Sequence, residues 1–289
     1  MTVRHTTALK AKLAERRALL VPGAPNALTA LIAADLGYQA VYVTGAGVTN
    51  MNVGMPDLGL ITLSELAEPV RAIREMVELP IIVDADTGFG NAVNVHRTVR
   101  TLEHAGASAI QLEDQVFPKK CGHFSGKEVI PLAEMLPKIR AAVDARRDPD
   151  LLIIARTDAR AVVGLDQAIE RAAAFIEAGA DVTFVEAPET IEEMRAIPAR
   201  LTVPQLANLV VGGKTPVLPQ AELARMGFAV ALYANVALQS AVKAMQTVLG
   251  ALLRDGDLSA VHDQVASFSE RQRLVRKPFF DTLEQKYKA

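Results

Sequence analysis

Eight short apolar runs recur along the 289-residue chain, at 18–21, 40–43, 80–83, 109–112, 151–155, 182–185, 206–211 and 228–233. Their length and β-branched content read as strands buried on both faces. Between them lie segments with helical apolar spacing, among them 64–77, 91–104, 132–143 and 165–178. Strands joined through helices pair in parallel, because a parallel pair needs a crossover connection. Gly37, Gly106, Gly179 and Gly227 each follow a helical segment and precede the next strand by two or three residues. Glycine there suits a left-handed helix end that leads into a strand. The pattern predicts an α/β fold, a (β/α)8 TIM-type barrel rather than an open sheet. Barrels of roughly 250 residues fold as one unit.

No polar, proline-rich or low-complexity linker divides the chain, so 1–289 reads as one barrel domain with a C-terminal helical extension at 236–289. Helical spacing runs through 236–253 and again through 258–274, and Lys277-Pro278-Phe279-Phe280 follows. Two uses are open to these segments: covering the barrel's own flank, or docking onto a second subunit.

Composition narrows the partners. With 31 basic residues against 33 acidic ones, the net charge of −2 supplies no field for nucleic acid or an anionic membrane. Trp is absent and aromatics are 4%, which removes the stacking platforms of single-strand binders. One cysteine excludes an intrachain disulfide framework and suits a reducing compartment. The N-terminus lacks the apolar core of a secretory signal. The most hydrophobic stretch, 228–242, is broken by Asn235 and Gln239 and falls short of the ~20 apolar residues of a membrane helix. The expectation is a soluble cytoplasmic enzyme for a small molecule, with no nucleic-acid or membrane partner.

Polar residues stand where the strands end: Thr44, Asp84 and Asp86, Glu113, Arg156 and Asp158, Glu186, Asn208, Asn235. A barrel keeps its active site at that end of its strands. Strand alternation would turn Asp84 and Asp86 to one side. Two such carboxylates favour a cation between them, and Glu113 could complete an oxygen set for Mg²⁺ or Mn²⁺ rather than Zn²⁺. The plainer alternative has one aspartate capping the helix that starts near Asn91. Gly88 and Gly90 fall short of a dinucleotide fingerprint. Lys119-Lys120-Cys121-Gly122-His123 follows the fourth strand without apolar periodicity, as a loop would. Two lysines and a histidine would favour thiolate at Cys121, which could serve as nucleophile or as proton donor.

These motifs resemble the isocitrate lyase / phosphoenolpyruvate mutase superfamily. The likeness runs through Tyr42-Val43-Thr44-Gly45-Ala46-Gly47, Asp57, Asp84-Ala85-Asp86-Thr87-Gly88-Phe89-Gly90, Glu113-Asp114-Gln115 and the cysteine loop. It continues through Ile154-Ala155-Arg156-Thr157-Asp158, Glu186-Ala187-Pro188 and Leu206-Ala207-Asn208. The cysteine loop is similar to the lyase branch, where this residue supplies a proton. The resemblance implies that Asp84 binds Mg²⁺ directly while Asp86 and Glu113 hold it largely through water. It implies that Thr44, Gly45 and Ala46 cradle the substrate's α-oxyacid end, that Arg156 bonds its oxygens, and that Tyr42, Asp57 and Lys119 lie about the reacting centre. Glu186, Asn208, Gly122 and His123 would contact the second carboxylate. It further implies a homodimer or homotetramer, with the helix after the eighth strand packed on a neighbour's barrel.

Thr44 and Ala46 depart modestly from the family's Ser and Gly. A larger departure lies after the eighth strand, where tricarboxylate-cleaving members carry an Arg and this chain has Gln239. A neutral amide is a poor partner for a buried third carboxylate. The implied reaction is retro-aldol cleavage of a 2-hydroxy acid to a 2-oxo acid and a carboxylate. An alkylmalate or dimethylmalate is favoured over 2-methylisocitrate. The alternatives are oxaloacetate hydrolysis or decarboxylation, and phosphonomutase chemistry.

Overall fold

The computed structural model describes residues 3–120, 122 and 126–288. Eight strands carry it: β1 Leu19–Pro22, β2 Val41–Val43, β3 Ile81–Asp84, β4 Ala109–Glu113, β5 Leu152–Thr157, β6 Val182–Val185, β7 Gln205–Asn208 and β8 Phe228–Tyr233. All pairs are parallel, in the order β1-β8-β7-β6-β5-β4-β3-β2. The ring closes between β1 and β2 through a single bridge, Gly23 to Tyr42. This is the expected (β/α)8 barrel. The four glycines named above all adopt left-handed φ angles, between 87° and 107°. The seventh strand ends earlier than its apolar run, because Val210 and Val211 continue as loop and Val211 is exposed.

Period-2 alternation decides which side chains reach the barrel interior. Val21, Tyr42, Ile82, Ile154, Phe184, Leu206 and Leu232 pack together as one cluster, joined by Leu9 and Leu13 of the N-terminal helix His5–Ala14. Their neighbours Val41, Val43, Ile81, Val83, Ile110 and Ile153 pack outward with Leu66, Val70, Val99, Leu102 and Ile139 of the surrounding helices. Continued past the last apolar layer, the inward column supplies Thr44, Asp84, Gln111, Glu113, Arg156, Glu186 and Asn208. The packed interior thus fixes the floor of the site.

The extension departs from two expectations. Helix Val236–Asp255 has 20 residues, and an 18-residue window of it has a mean hydropathy of 1.3, long and apolar enough by length and composition to cross a bilayer. The break at Asn235 that argued otherwise is only the start of this helix. Nor does the helix cover the barrel's own flank, for Ala251 is its one buried residue. Leu238, Val242, Met245, Leu249 and Leu252 recur in alternating steps of four and three, the spacing of a helix–helix seam. Segment 258–274 is not one helix: a 3₁₀ stretch Ser259–Gln264 and a helix Phe268–Leu274 flank a break that Ser267 caps.

Candidate active site

Asp84 ends β3 with its side chain inward. Asp86 reaches it by a turn rather than by strand alternation. The strand has stopped, Asp86 lies at φ 47°, and its N–H donates to Asp84 Oδ1 at 3.3 Å. The same oxygen accepts from Gln111 Nε2 at 3.1 Å, and Gln111 Oε1 accepts from the Tyr42 hydroxyl at 2.8 Å. Glu113, at the end of β4, accepts from Gln115 Nε2 at 3.0 Å. The helix-capping alternative falls away, since Asn91 itself caps Ala92–Ala105 by accepting from the Val93 and Asn94 N–H groups.

Lys119 joins the loop after β4 to this floor. Its ammonium lies 2.8 Å from Asp86 Oδ1 and also bonds Asp57. Burial works against its charge, but Asp86, Glu113, Asp57 and Asp84 outweigh burial and hold its pKa well above the ordinary lysine value. The carboxylates remain in excess. Burial, reinforced by Asp84 and Asp57 against the opposing pull of Lys119, raises Asp86 to about 6. Burial likewise raises Glu113 despite Arg156.

Arg156, on β5, is the second cationic centre. Its Nε lies 2.9 Å from Asp158 Oδ2 and 3.3 Å from Glu113, its Nη1 3.5 Å from Glu186, and its guanidinium 5.0 Å from the Phe184 ring centre. Asp158 also takes the Lys127 ammonium at 2.6 Å. Burial alone would raise Asp158; Arg156 and Lys127 overcome it and hold the carboxyl below its usual range. Asp114 supports this arrangement from behind, accepting from the Asp158 N–H at 2.9 Å, Thr157 Oγ1 at 2.7 Å and Arg171 Nε at 2.9 Å. Removing one member of such a buried charge set costs about 3–5 kcal/mol.

The residues fit a hydrated divalent cation. Asp84, Asp86 and Glu113 are buried oxygen donors. Asp57, Asp84, Asp86, Glu113, Asp158 and Glu186 share three described cations, Lys119, Lys127 and Arg156. Gly45 leaves room beside two of them: a Cβ there would lie 3.0 Å from Asp86 Oδ1 and 3.7 Å from Asp84 Oδ2. Among the described residues, no three His, Cys, Asp or Glu groups converge to grip an ion directly.

Above this floor lies a cavity lined by Tyr42, Thr44, Ala46, Asp57, Asp84, Lys119, Gly122, Arg156 and Asn208, all anticipated from the sequence. Gly45, Asp86, Glu113 and Glu186 sit immediately behind these residues through the contacts above. Cys121 and His123 lie outside the described residues. Gln239 does not reach the cavity; it is exposed, 3.5 Å from the Val211 carbonyl. Asn235 lines the wall in its place, beside Phe184, Val210, Leu232 and Ala234. The amide oxygens of Asn208 and Asn235 are buried without a hydrogen-bond partner. Sequence reasoning missed Gln111 and Lys127. A glutamine inside the apolar run 109–112 was the available signal for the first; nothing local marks the second.

Comparison with known proteins places this geometry. Residues 9–253 match the family model described as phosphoenolpyruvate phosphomutase. A 2,3-dimethylmalate lyase from Eubacterium barkeri is 46% identical over 275 residues, covering 95% of both chains. A 2-methylisocitrate lyase from Aeropyrum pernix is 46% identical over 91% of this chain and 85% of its own length. The crystal structure of a 2,3-dimethylmalate lyase, described as a PEP mutase/isocitrate lyase superfamily member, superposes with a TM-score of 0.92. It is 33% identical and covers 99% of this chain and 96% of its own.

Proposed function

The chain belongs to the phosphoenolpyruvate phosphomutase family, and we propose that within it the chain is a Mg²⁺-dependent lyase for 2-hydroxy dicarboxylates of the alkylmalate type. It is a carbon–carbon lyase of the superfamily, as its named relatives are lyases. The observation that carries the dicarboxylate assignment is the cavity wall. The cations lining it are Lys119, Lys120 and Arg156. Lys119 and Arg156 are engaged by the carboxylates described above, and the Lys120 ammonium bonds the Gly126 carbonyl at 2.7 Å. Among the described residues the lining holds no arginine besides Arg156 that could pair with a third carboxylate, and burying one without a strong partner is costly. Phe184, Val210, Leu232 and Ala234 instead offer an apolar surface, worth about 0.8 kcal/mol for each methyl-sized group buried.

The chain's own residues divide the work. Arg156 bonds the oxygens of the α-oxyacid end, with Thr44, Gly45 and Ala46 cradling it. Gln111 holds the Tyr42 hydroxyl beside the reacting carbon. Asp57, ion-paired with Lys119, takes the substrate's hydroxyl proton. The C2–C3 bond then breaks, the hydroxyl oxygen becomes the ketone of the 2-oxo acid, and the bonding pair goes to C3. Cys121 supplies the proton to C3: its S–H bond breaks as the C–H bond forms, leaving thiolate. Glu186, Asn208, Gly122 and His123 contact the second carboxylate. Mg²⁺, held by Asp84 and through water by Asp86 and Glu113, would supply positive charge to the developing oxyanion, a task for which Mn²⁺ could substitute.

The partner is a small carboxylate, and the enzyme assembles as a homodimer or homotetramer. The exposed seam of helix Val236–Asp255 supports assembly. A specificity ratio tests the substrate assignment. kcat/KM for 2,3-dimethylmalate should exceed that for 2-methylisocitrate by at least about tenfold, or about 1.4 kcal/mol. Equal specificity would refute the assignment.

A further inference from the structure

The sequence neighbours of the single cysteine are both held by side chains from outside the pair. Gln115 brackets Lys120, accepting from its N–H at 3.0 Å and donating to its carbonyl at 2.8 Å. Lys127 donates to the Gly122 carbonyl. The same ammonium lies 2.6 Å from Asp158 Oδ1, and Asp158 accepts two hydrogen bonds from Arg156, at 2.9 and 3.1 Å. Gly122 is pressed onto that guanidinium: a Cβ there would stand 2.4 Å from Arg156 Nη2. At the root of the segment, Gln115 bridges Val129 and the Val116 N–H donates to the Glu128 carbonyl at 2.9 Å. Lys127 therefore projects from the anchored end of the loop back to its middle.

A buried ammonium needs a reason, because it is costly to desolvate. Part of it is charge, since Lys127 shares Asp158 with Arg156, whose guanidinium also serves Glu113 and Glu186. What Lys127 adds is the tie to Gly122. We propose that Lys127 is a positioning residue for Cys121: by tying the Gly122 carbonyl to Asp158, it fixes the residue that follows the cysteine against the arginine that holds the substrate. The inference rests on the reading of Cys121 as proton donor in a lyase.

The test uses Lys127→Met and Lys127→Gln, with Lys127→Arg as the conservative variant. Two readouts are taken: steady-state kinetics on the best dicarboxylate, and the rate at which an aromatic disulfide reagent modifies the chain's one thiol. Misplacement by about 1 Å costs about 10²-fold, so both neutral variants should lose that much kcat while KM changes little. Their thiols should react several-fold faster than in the wild type, and Lys127→Arg should recover most of both properties. If Lys127→Met fails to fold, Lys127→Gln carries the comparison. Wild-type kcat and thiol reactivity in the neutral variants overturn the proposal and leave the lyase reading intact. If the wild-type chain cleaves no dicarboxylate, that reading fails instead; unchanged thiol reactivity would then overturn the clamp as well, and faster reactivity would uphold it.

Discussion

Gly122→Ala introduces one methyl group where the cysteine loop comes close against the barrel. Its Cβ would lie 2.4 Å from Arg156 Nη2, 2.7 Å from Glu186 Cδ and 2.8 Å from Glu186 Cγ. Ordinary contact begins near 3.4 Å, so a retreat of about 1 Å is required. Arg156 cannot provide it without giving up its bonds to Asp158 at 2.9 and 3.1 Å. The loop must move instead. A displacement of that size at a reacting group costs about 10²-fold, equivalent to about 2.7 kcal/mol of transition-state stabilisation. The barrel itself is untouched. Steady-state kinetics and thermal unfolding should show kcat/KM down about a hundredfold with Tm moved by only a few degrees. A variant within threefold of wild type would mean that turnover does not require the loop in this position.

Three further outcomes follow from the site and the extension. EDTA should abolish turnover and Mg²⁺ or Mn²⁺ restore it, with Zn²⁺ a poor substitute; full activity of Asp84→Ala in metal-free buffer would remove the metal from the account. Cys121→Ser should fold and bind Mg²⁺ yet lose about 10²–10⁴-fold in kcat, because a hydroxyl is a far weaker acid than a thiol. A change within threefold would remove Cys121 from the mechanism. Sedimentation equilibrium at micromolar concentration should give a dimer or tetramer for the wild type and smaller species for Met245→Glu with Leu249→Glu. A monomeric wild type would contradict assembly through that helix.

The barrel was legible because its signals are local and repeated: eight apolar runs, helical spacing between them, and glycines where helices turn into strands. The site was legible wherever a charged residue ends a strand, because the alternation that buries Ile82, Ile154 and Phe184 also carries Asp84, Arg156 and Glu186 inward. Asp86 was placed beside Asp84 for the wrong local reason, since a turn with φ 47° replaces the strand there. Gln239 was misjudged because one helical turn separates it from Asn235, the residue on the cavity wall. Lys127 was missed because its meaning lies in Asp158, 31 residues away in sequence and 2.6 Å away in space. Such pairing has no periodicity to betray it.

The central claim is carbon–carbon cleavage with enzyme-directed protonation. NMR of 2,3-dimethylmalate incubated with the protein and Mg²⁺ in deuterated water tests it directly. The account predicts pyruvate and propionate in equal amounts, the propionate carrying one deuterium at C2 delivered to a single face. Oxaloacetate, phosphonopyruvate and 2-methylisocitrate should turn over poorly or not at all under the same conditions. Intact dimethylmalate beside rapid conversion of oxaloacetate to oxalate and acetate, or rearrangement of phosphonopyruvate, would contradict it.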